Sequence, residues 1–387
     1  MPKIYLDYAA ATPVDPKILR AMLPYFKKEC GNPSSIHYFG QRALEAVDQA
    51  RANAAKFLNC DPGEIIFTGS ATEANNLAIF GLVKTGDHII TTQIEHPAVL
   101  EPCRALERRG VKVTYLPVDS DGLLHVDEIE KAIKADTVLV SVIYANNEIG
   151  AIQPIVEIGE LIRDKNQKSK NKTYFHTDAV QALNYLDCDV KKLGVDMFSL
   201  SGHKIYGPKG VGALYLRKGT ELNPIIYGGN QEHGMRSGTE NVAGIVGLGK
   251  AFEEMQSPKL RIQNIKIRQL RDKLIKIILK SIPDCRLNGS LTQRLPNNVN
   301  ISFRGVEGEA MVIALDQKGI ALSTGSACSV RNLQPSHVLL SLGLSAQEAH
   351  GSLRISLGKY TTQQEIEKFL RVLPGVVERL RKISGYK

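Results

Sequence analysis

The sequence predicts an α/β protein built on a mostly parallel sheet with helices on both faces. Two patterns and the composition carry that expectation. From about residue 60 to residue 216, short β-rich runs alternate with helical patterns at the spacing of βα units. Beyond residue 285 a second, smaller α/β pattern follows. The chain of 387 residues is 43% hydrophobic and 23% charged, which supplies a sizeable core and excludes a disordered, coiled-coil or collagen-like chain.

Taken in order, seven runs read as strands: Ile65–Thr68, His88–Thr92, Lys112–Leu116, Thr137–Ile143, Tyr174–Thr177, Met197–Ser201 and Val211–Leu216. Between them the spacing of apolar residues predicts helices over Glu73–Val83, Ala98–Arg109, Asp127–Lys134 and Ile155–Asp164. Gly228–Gly238 is rich in Gly and polar residues and reads as a loop. A helical pattern runs from Glu240 to Met255, Ser257-Pro258 breaks it, and another starts at Lys259. The last third predicts strands near Asn298–Phe303, Ala321–Ser323 and Leu353–Leu357, then a helix over Thr362–Ile383. The expected organisation is a large domain over residues 15–257 and a small domain made of residues 1–14 with 258–387.

Charge is unevenly spread. Residues 251–387 carry 21 basic and 11 acidic side chains, whereas residues 1–250 carry 28 and 29, so the net +9 belongs to the C-terminal third. Lys259–Ile282 alone holds eight Lys/Arg and one Asp, with Leu260, Ile267, Leu270, Leu274 and Ile278 near helical spacing. That pattern fits a solvated helix face packed on its own protein, and also a surface for a membrane or an acidic partner. Aromatic interleaving of the kind that binds single strands is not seen, so no direct nucleic-acid contact is expected. The six cysteines (Cys30, Cys60, Cys103, Cys188, Cys285, Cys328) form no CxxC pair and no zinc-ribbon spacing. Charge interrupts the N-terminus before a signal-peptide core forms, and no window approaches ~20 uninterrupted apolar residues. A cytoplasmic enzyme with free thiols and no membrane span is expected.

Several strand ends carry chemistry, because ligands in such sheets bind at the carboxyl ends of strands. Ser201-Gly202-His203-Lys204 follows one strand, and a lysine held there can form a Schiff base with a carbonyl cofactor. Tyr174-Phe175-His176-Thr177-Asp178 ends another on a carboxylate, the group that pyridoxal phosphate uses against its pyridinium nitrogen; Asp178 also fits a plain turn or helix cap. Thr68-Gly69-Ser70-Ala71-Thr72-Glu73 runs from a strand into a helix, where free backbone N–H groups suit a phosphate. The same residues also fit ordinary N-capping. His96 follows a strand in Ile94-Glu95-His96-Pro97, where an imidazole could stack on a ring and move protons.

Together these segments resemble the class V aminotransferases, most nearly the NifS/IscS-like cysteine desulfurases. The resemblance is carried by Tyr5-Leu6-Asp7-Tyr8-Ala9-Ala10, Gly31-Asn32-Pro33-Ser34-Ser35, Thr68–Asn75, Glu95-His96 and Asn146-Asn147-Glu148-Ile149-Gly150. It continues through Asp178–Gln181, Ser201–Gly207, Arg236-Ser237-Gly238-Thr239, Gly325-Ser326-Ala327-Cys328 and Leu353-Arg354-Ile355-Ser356-Leu357-Gly358, in one order over nearly the whole chain. It implies the type I fold of pyridoxal-phosphate-dependent transferases, with a seven-stranded sheet in the large domain and a smaller α/β C-terminal domain. By the same resemblance, Lys204 holds pyridoxal 5'-phosphate as a Schiff base, Asp178 pairs with its ring nitrogen and Gln181 bonds its phenolic oxygen. His96 stacks on the ring and moves protons. Ala71, Thr72, Ser201 and His203 hold the phosphate, and Thr239 reaches the phosphate of the partner subunit in a homodimer. Asn147 and Arg354 bind the substrate, Arg354 through a bidentate pair with its carboxylate.

Cys328 sets the implied reaction. Its Gly/Ser surroundings suit an exposed, mobile loop, and as a thiolate it would take sulfur from L-cysteine as a persulfide, leaving L-alanine. The implied acceptors are proteins of iron–sulfur cluster assembly or tRNA thiolation. A selenocysteine lyase or an aminotransferase on the same fold is the alternative. Ser329-Val330-Arg331 departs from the Thr-Ser more often found after the cysteine in this branch. The sequence ends at Tyr386-Lys387, short of the tail that housekeeping members use to dock a scaffold protein, which leaves the acceptor open.

Overall fold

A computed structural model describes residues 3–325 and 334–386. The chain enters through β1 (Ile4–Tyr5), α1 (Pro16–Met22) and the long α2 (Tyr38–Leu58). It then alternates through β2 (Ile65–Thr68), α3 (Ala71–Phe80), β3 (His88–Thr92), α4 (Pro97–Glu107), β4 (Lys112–Leu116), α5 (Val126–Ala132) and β5 (Thr137–Ser141). The alternation continues with α6 (Ile155–Lys168), β6 (Tyr174–Asp178), α7 (Val190–Leu193), β7 (Met197–Ser201) and β8 (Gly212–Leu216). Two helices follow, α8 (Val242–Met255) and α9 (Pro258–Ser281). The last third holds β9 (Cys285–Leu287), β10 (Asn298–Phe303), α10 (Gly308–Asp316), β11 (Ile320–Ala321), α11 (His337–Ser341), α12 (Ala346–His350), β12 (Ser352–Ser356) and α13 (Gln363–Ser384).

Among the described residues, seven strands pair in the order β2-β8-β7-β6-β5-β3-β4. All run parallel except β8, which is antiparallel to both β2 and β7. Period-two alternation sorts their side chains between two cores. Ile65, Phe67, Ile90, Val140, Phe175, Phe198 and Ala213 face the core shared with α2, α6 and α8. Ile66, Ile89, Leu139, Met197 and Leu214 face the core shared with α3 and α4. Both faces are therefore dry, as a largely parallel sheet requires. Inside β6, the His176 ring lies between the Ser141 and Ser199 hydroxyls at 2.8 and 2.9 Å, and burial depresses its pKa to about 3. This neutral ring adds a polar tie across three neighbouring strands.

The seven expected strands fall where the sequence placed them, with small shifts. The Thr137 run ends as a strand at Ser141, and β6 extends to Asp178. The pattern did not signal α2, because its buried stripe is mostly small residues: Gly40, Ala43, Val47, Ala50 and Ala54. Those small side chains allow close approach of α8, where a Cβ on Gly249 would sit 2.5 Å from the Ala50 Cα.

In the last third, β9, β10 and β12 form an antiparallel sheet, while β1 and β11 pair in parallel. The expected Ala321–Ser323 strand is shorter, Ile320–Ala321, and Ser323 instead bridges to Arg354. The short β9 carried no sequence signal. On α9, Ile267, Leu274 and Ile278 are buried as the spacing predicts. Arg271 is buried as well and donates to the Leu295 carbonyl at 3.0 Å, so it caps backbone rather than joining the exposed basic face.

Candidate active site

Parallel strands place their C-terminal ends on one edge of the sheet, and the chain uses that edge repeatedly. Ser70 follows β2, His96 follows β3, Asn146–Glu148 follows β5, Asp178 closes β6 and Lys204 follows β7.

The turn from β2 into α3 is built for an anion. Ser70 is the N-cap, its hydroxyl accepting from the Glu73 N–H at 3.2 Å. Glu73 in turn accepts from the Gly69 N–H at 2.9 Å and from Arg236 at 2.9 Å. Ala71 and Thr72 open the helix, where uncommitted backbone N–H groups and the helix dipole favour negative charge. The start of β8 packs directly beneath: a Cβ on Gly212 would lie 2.7 Å from the Ser70 carbonyl carbon and 2.9 Å from the Ala71 nitrogen. Glycine is required there by close approach.

Asp178 is buried, 4% exposed. Its Oδ2 accepts from Asn75 Nδ2 at 2.7 Å, and its Oδ1 accepts from the Val180 N–H at 3.1 Å. His96 is the N-cap of α4, with Nδ1 accepting from the Ala98 N–H at 3.1 Å. Burial first, then the charges of Lys204 and His337, hold the imidazole below its usual pKa against the opposing pull of Asp178. A neutral ring whose Nδ1 accepts carries its proton on Nε2. Next to it, Glu95 is fully buried; its Oε1 takes the Thr92 hydroxyl at 2.7 Å and the Ile143 N–H at 2.8 Å, and its Oε2 has no partner among the described residues. Burial pushes its pKa up to about 8, so the carboxyl is mostly protonated near neutrality.

Lys204 extends from the short turn after β7. Its ammonium donates to the carbonyls of Ala9 and Ala10 at 2.6 and 2.7 Å. Gln181 Nε2 donates to the same Ala9 carbonyl at 3.0 Å. Asn184 donates to the Lys204 carbonyl at 2.7 Å and steadies the turn. The Ser201 hydroxyl meets His203 Nδ1 at 2.7 Å, and burial together with Lys204 and Lys209 lowers the His203 pKa to about 4.

The N-terminal segment laces these parts together. Thr12 donates both its N–H and its hydroxyl to the His203 carbonyl, Ala9 and Ala10 hold Lys204, and Asp7 holds Arg354. Arg354 is 2% exposed in β12. Its Nη2 donates to Asp7 Oδ1 at 2.9 Å and its Nη1 to the Asn147 carbonyl at 3.2 Å. Its Nε is buried without an acceptor among the described residues.

The whole chain also has close relatives. The profile of the family described as "Aminotransferase class-V" matches residues 4–369. A "Cysteine desulfurase IscS" of Dictyoglomus turgidum is 48% identical over 100% of this chain and 97% of its own length. The chain belongs to the cysteine desulfurase branch of the class-V aminotransferases. A solved structure titled "NIFS-LIKE PROTEIN" superposes with a TM-score of 0.90 at 38% identity, covering 97% of this chain and 100% of its own. Another, titled "SspA in complex with cysteine", does so with a TM-score of 0.80 at 39% identity, covering 93% and 100%. The fold is thus that of the pyridoxal-phosphate-dependent enzymes of this family.

Class-V aminotransferases are pyridoxal-phosphate dependent, and the residues at the sheet edge suit that cofactor. The close approach at Gly212 leaves the helix start at Ala71 and Thr72 for a phosphate, and a buried carboxylate at Asp178 suits a ring nitrogen. The structure brings Lys204, Gln181, Asp178, His96 and the α3 start to one edge of the sheet, with Arg354 tied in through Asp7. Thr239 lies beside the anion turn. It is exposed and lines an open cavity with Gly69, Gly210, Glu232 and Arg236. Cys328 lies outside the described residues. Sequence reasoning assigned no role to Asp7, Asn75 or Glu95; all three stood inside recognised motifs, but Arg354, Asp178 and the Ile143 N–H, which they meet, are distant in sequence.

Proposed function

We propose that this chain removes sulfur from L-cysteine, releasing L-alanine and leaving the sulfur as a persulfide on Cys328. The observation that carries this reading is the full-length likeness to cysteine desulfurases, joined to a sheet edge that gathers Lys204, Asp178 and His96. Bound pyridoxal phosphate supplies an electron sink for the pair released when substrate bonds break. In our assignment Lys204 is its covalent anchor. Asp178, kept in place by Asn75, holds the ring nitrogen, and Gln181 the phenolic oxygen. Ala71, Thr72, Ser201 and His203 hold the phosphate. Arg354 receives the substrate carboxylate as a bidentate pair, beside Asn147. His96 holds a proton at Nε2 and presents a neutral ring to the substrate.

The same reading makes the enzyme a homodimer in which Thr239 completes the partner's phosphate site. The exposure of Thr239 supports it, as does that of Tyr227, which is 82% exposed beside the same loop. It divides the chain into residues 15–257 and residues 1–14 with 258–387; the separate apolar cluster formed by Ile4, Leu6, α9, β10 and α13 supports that division. The acceptor of the sulfur is a protein docking near exposed Lys259, Lys266, Arg268, Lys276 and Lys280. A cytoplasmic setting agrees with the five free cysteines among the described residues. Among these residues, no helix is long and apolar enough to cross a membrane.

The test is sulfide and alanine release from L-cysteine with a reductant present. Wild-type enzyme should form both in equal amounts, and Cys328→Ala should form neither. Full turnover by that variant would overturn the persulfide role.

A further inference from the structure

Arg354 is a buried cation gripped at two nitrogens, with its third nitrogen buried and unpaired among the described residues. Asn147 O and Asp7 Oδ1 take Nη1 and Nη2, while Nε has no acceptor among the described residues. The guanidinium is planar and resists twisting about its C–N bonds, so fixing two nitrogens fixes the direction of the third. Of the two acceptors, only Asp7 carries charge, at an N–O distance of 2.9 Å.

Asp7 is itself held firmly. Its backbone bridges to Ser356, two residues beyond Arg354 on β12, and the flanking Ser356 N–H, Tyr8 N–H and Ala9 N–H all bond across the same junction. The Tyr5 hydroxyl donates to the Asp7 carbonyl at 3.0 Å. A competing acceptor lies close: the buried carboxyl of Glu148, bonded by the Ser336 hydroxyl at 2.5 Å, also feels the charge of Arg354. Loss of Asp7 would leave Glu148 as the competing anion for the guanidinium, held then only by the Asn147 carbonyl.

We propose that Asp7 is the positioning residue for recognition of the substrate carboxylate, holding the Arg354 guanidinium in the orientation that pairs with the incoming anion. The proposal rests on the reading of Arg354 as the carboxylate anchor. In this proposal Asp7 acts through Arg354.

The test compares L-alanine with ethylamine, which differ only in the carboxylate, by titration of the pyridoxal-phosphate-loaded enzyme followed through its visible absorbance. Neither ligand carries sulfur, so the measurement is independent of desulfuration. Asp7→Ala should weaken L-alanine about tenfold or more, the scale of a lost charged hydrogen bond, and ethylamine less than about twofold. Asp7→Asn, whose amide oxygen still accepts from Nη2, should recover most of the loss. In an Arg354→Gln background, Asp7→Ala should add nothing. Equal weakening of both ligands, or full additivity with Arg354→Gln, would overturn the role of Asp7. If Arg354→Gln itself fails to distinguish the two ligands, the anchor reading falls instead.

Discussion

Asn75, on the buried side of α3, donates a 2.7 Å hydrogen bond to the Asp178 carboxylate at the end of β6. The helix that opens at the anion turn is thereby tied to the carboxylate assigned to the cofactor ring, 103 residues further along the chain. One side chain keeps the phosphate end and the ring end of the site at a fixed separation.

Asn75→Ala should therefore loosen cofactor binding without touching the cofactor. A buried carboxylate oxygen left without its donor costs about 1–3 kcal/mol, or about five- to 150-fold in affinity. Cofactor retained after dialysis, read by visible absorbance, measures it. Retention equal to wild type would show that Asp178 holds its position unaided.

Gly212→Ala tests the anion turn from below. The added methyl would press on the Ser70 carbonyl carbon and the Ala71 nitrogen at 2.7 and 2.9 Å, both backbone atoms that cannot swing aside. Overpacking of this kind costs about 1–3 kcal/mol. The expected outcome is a folded protein with a raised dissociation constant for pyridoxal phosphate, measured by reconstitution of the apoenzyme.

Glu95 sets a pH dependence of stability. Its pKa is raised to about 8 in the fold by burial, whereas an unfolded glutamate titrates near its ordinary ~4.3. Below both values the group is neutral in either state and imposes no penalty. As pH rises from the lower value to about 8, only the unfolded chain gives up the proton, so stability falls; above about 8 the loss levels off. Glu95→Gln removes this slope. Urea midpoints of the two proteins should diverge steadily from pH 5 to about pH 8, the wild type falling relative to the variant. Parallel midpoints across that range would refute a buried neutral carboxyl.

Lys204 and Cys328 should separate into two defects. Lys204→Ala is expected to lose the visible absorbance of the bound cofactor and all turnover. Cys328→Ala is expected to keep the absorbance and lose sulfide release. A Cys328→Ala enzyme with an altered resting spectrum would mean that this residue also shapes the cofactor pocket.

Much of the sheet was legible because β2 to β8 repeat a simple signal. Short runs such as His88–Thr92 and Met197–Ser201 are bounded by turn residues, and burial on both faces fills them mostly with apolar and small hydroxyl side chains and leaves out Lys, Arg, Asp and Glu. Lys204, Asp178 and His96 were legible for a related reason: each stands just past such a run, at the end where open sheets bind ligands. α2 was not, since small alanines write a weak apolar stripe even though they permit the close contact with α8.

The sequence alone determined the order of elements and the residue types at each strand end, because both follow from local periodicity and turn chemistry. It could not state that Ala9 and Ala10 receive Lys204, that Asn75 braces Asp178, or that Asp7 balances Arg354. These pairs are separated by 103 to 347 residues, and their partners include backbone carbonyls that leave no mark in composition. Only the closure of the chain, which lays the N-terminal segment between β12 and the turn after β7, brings a charge, a carbonyl and a lysine within bonding distance. Hydrogen bonds and buried ion pairs act over about 3 Å, so they are decided by where the fold places atoms, whatever their separation along the chain.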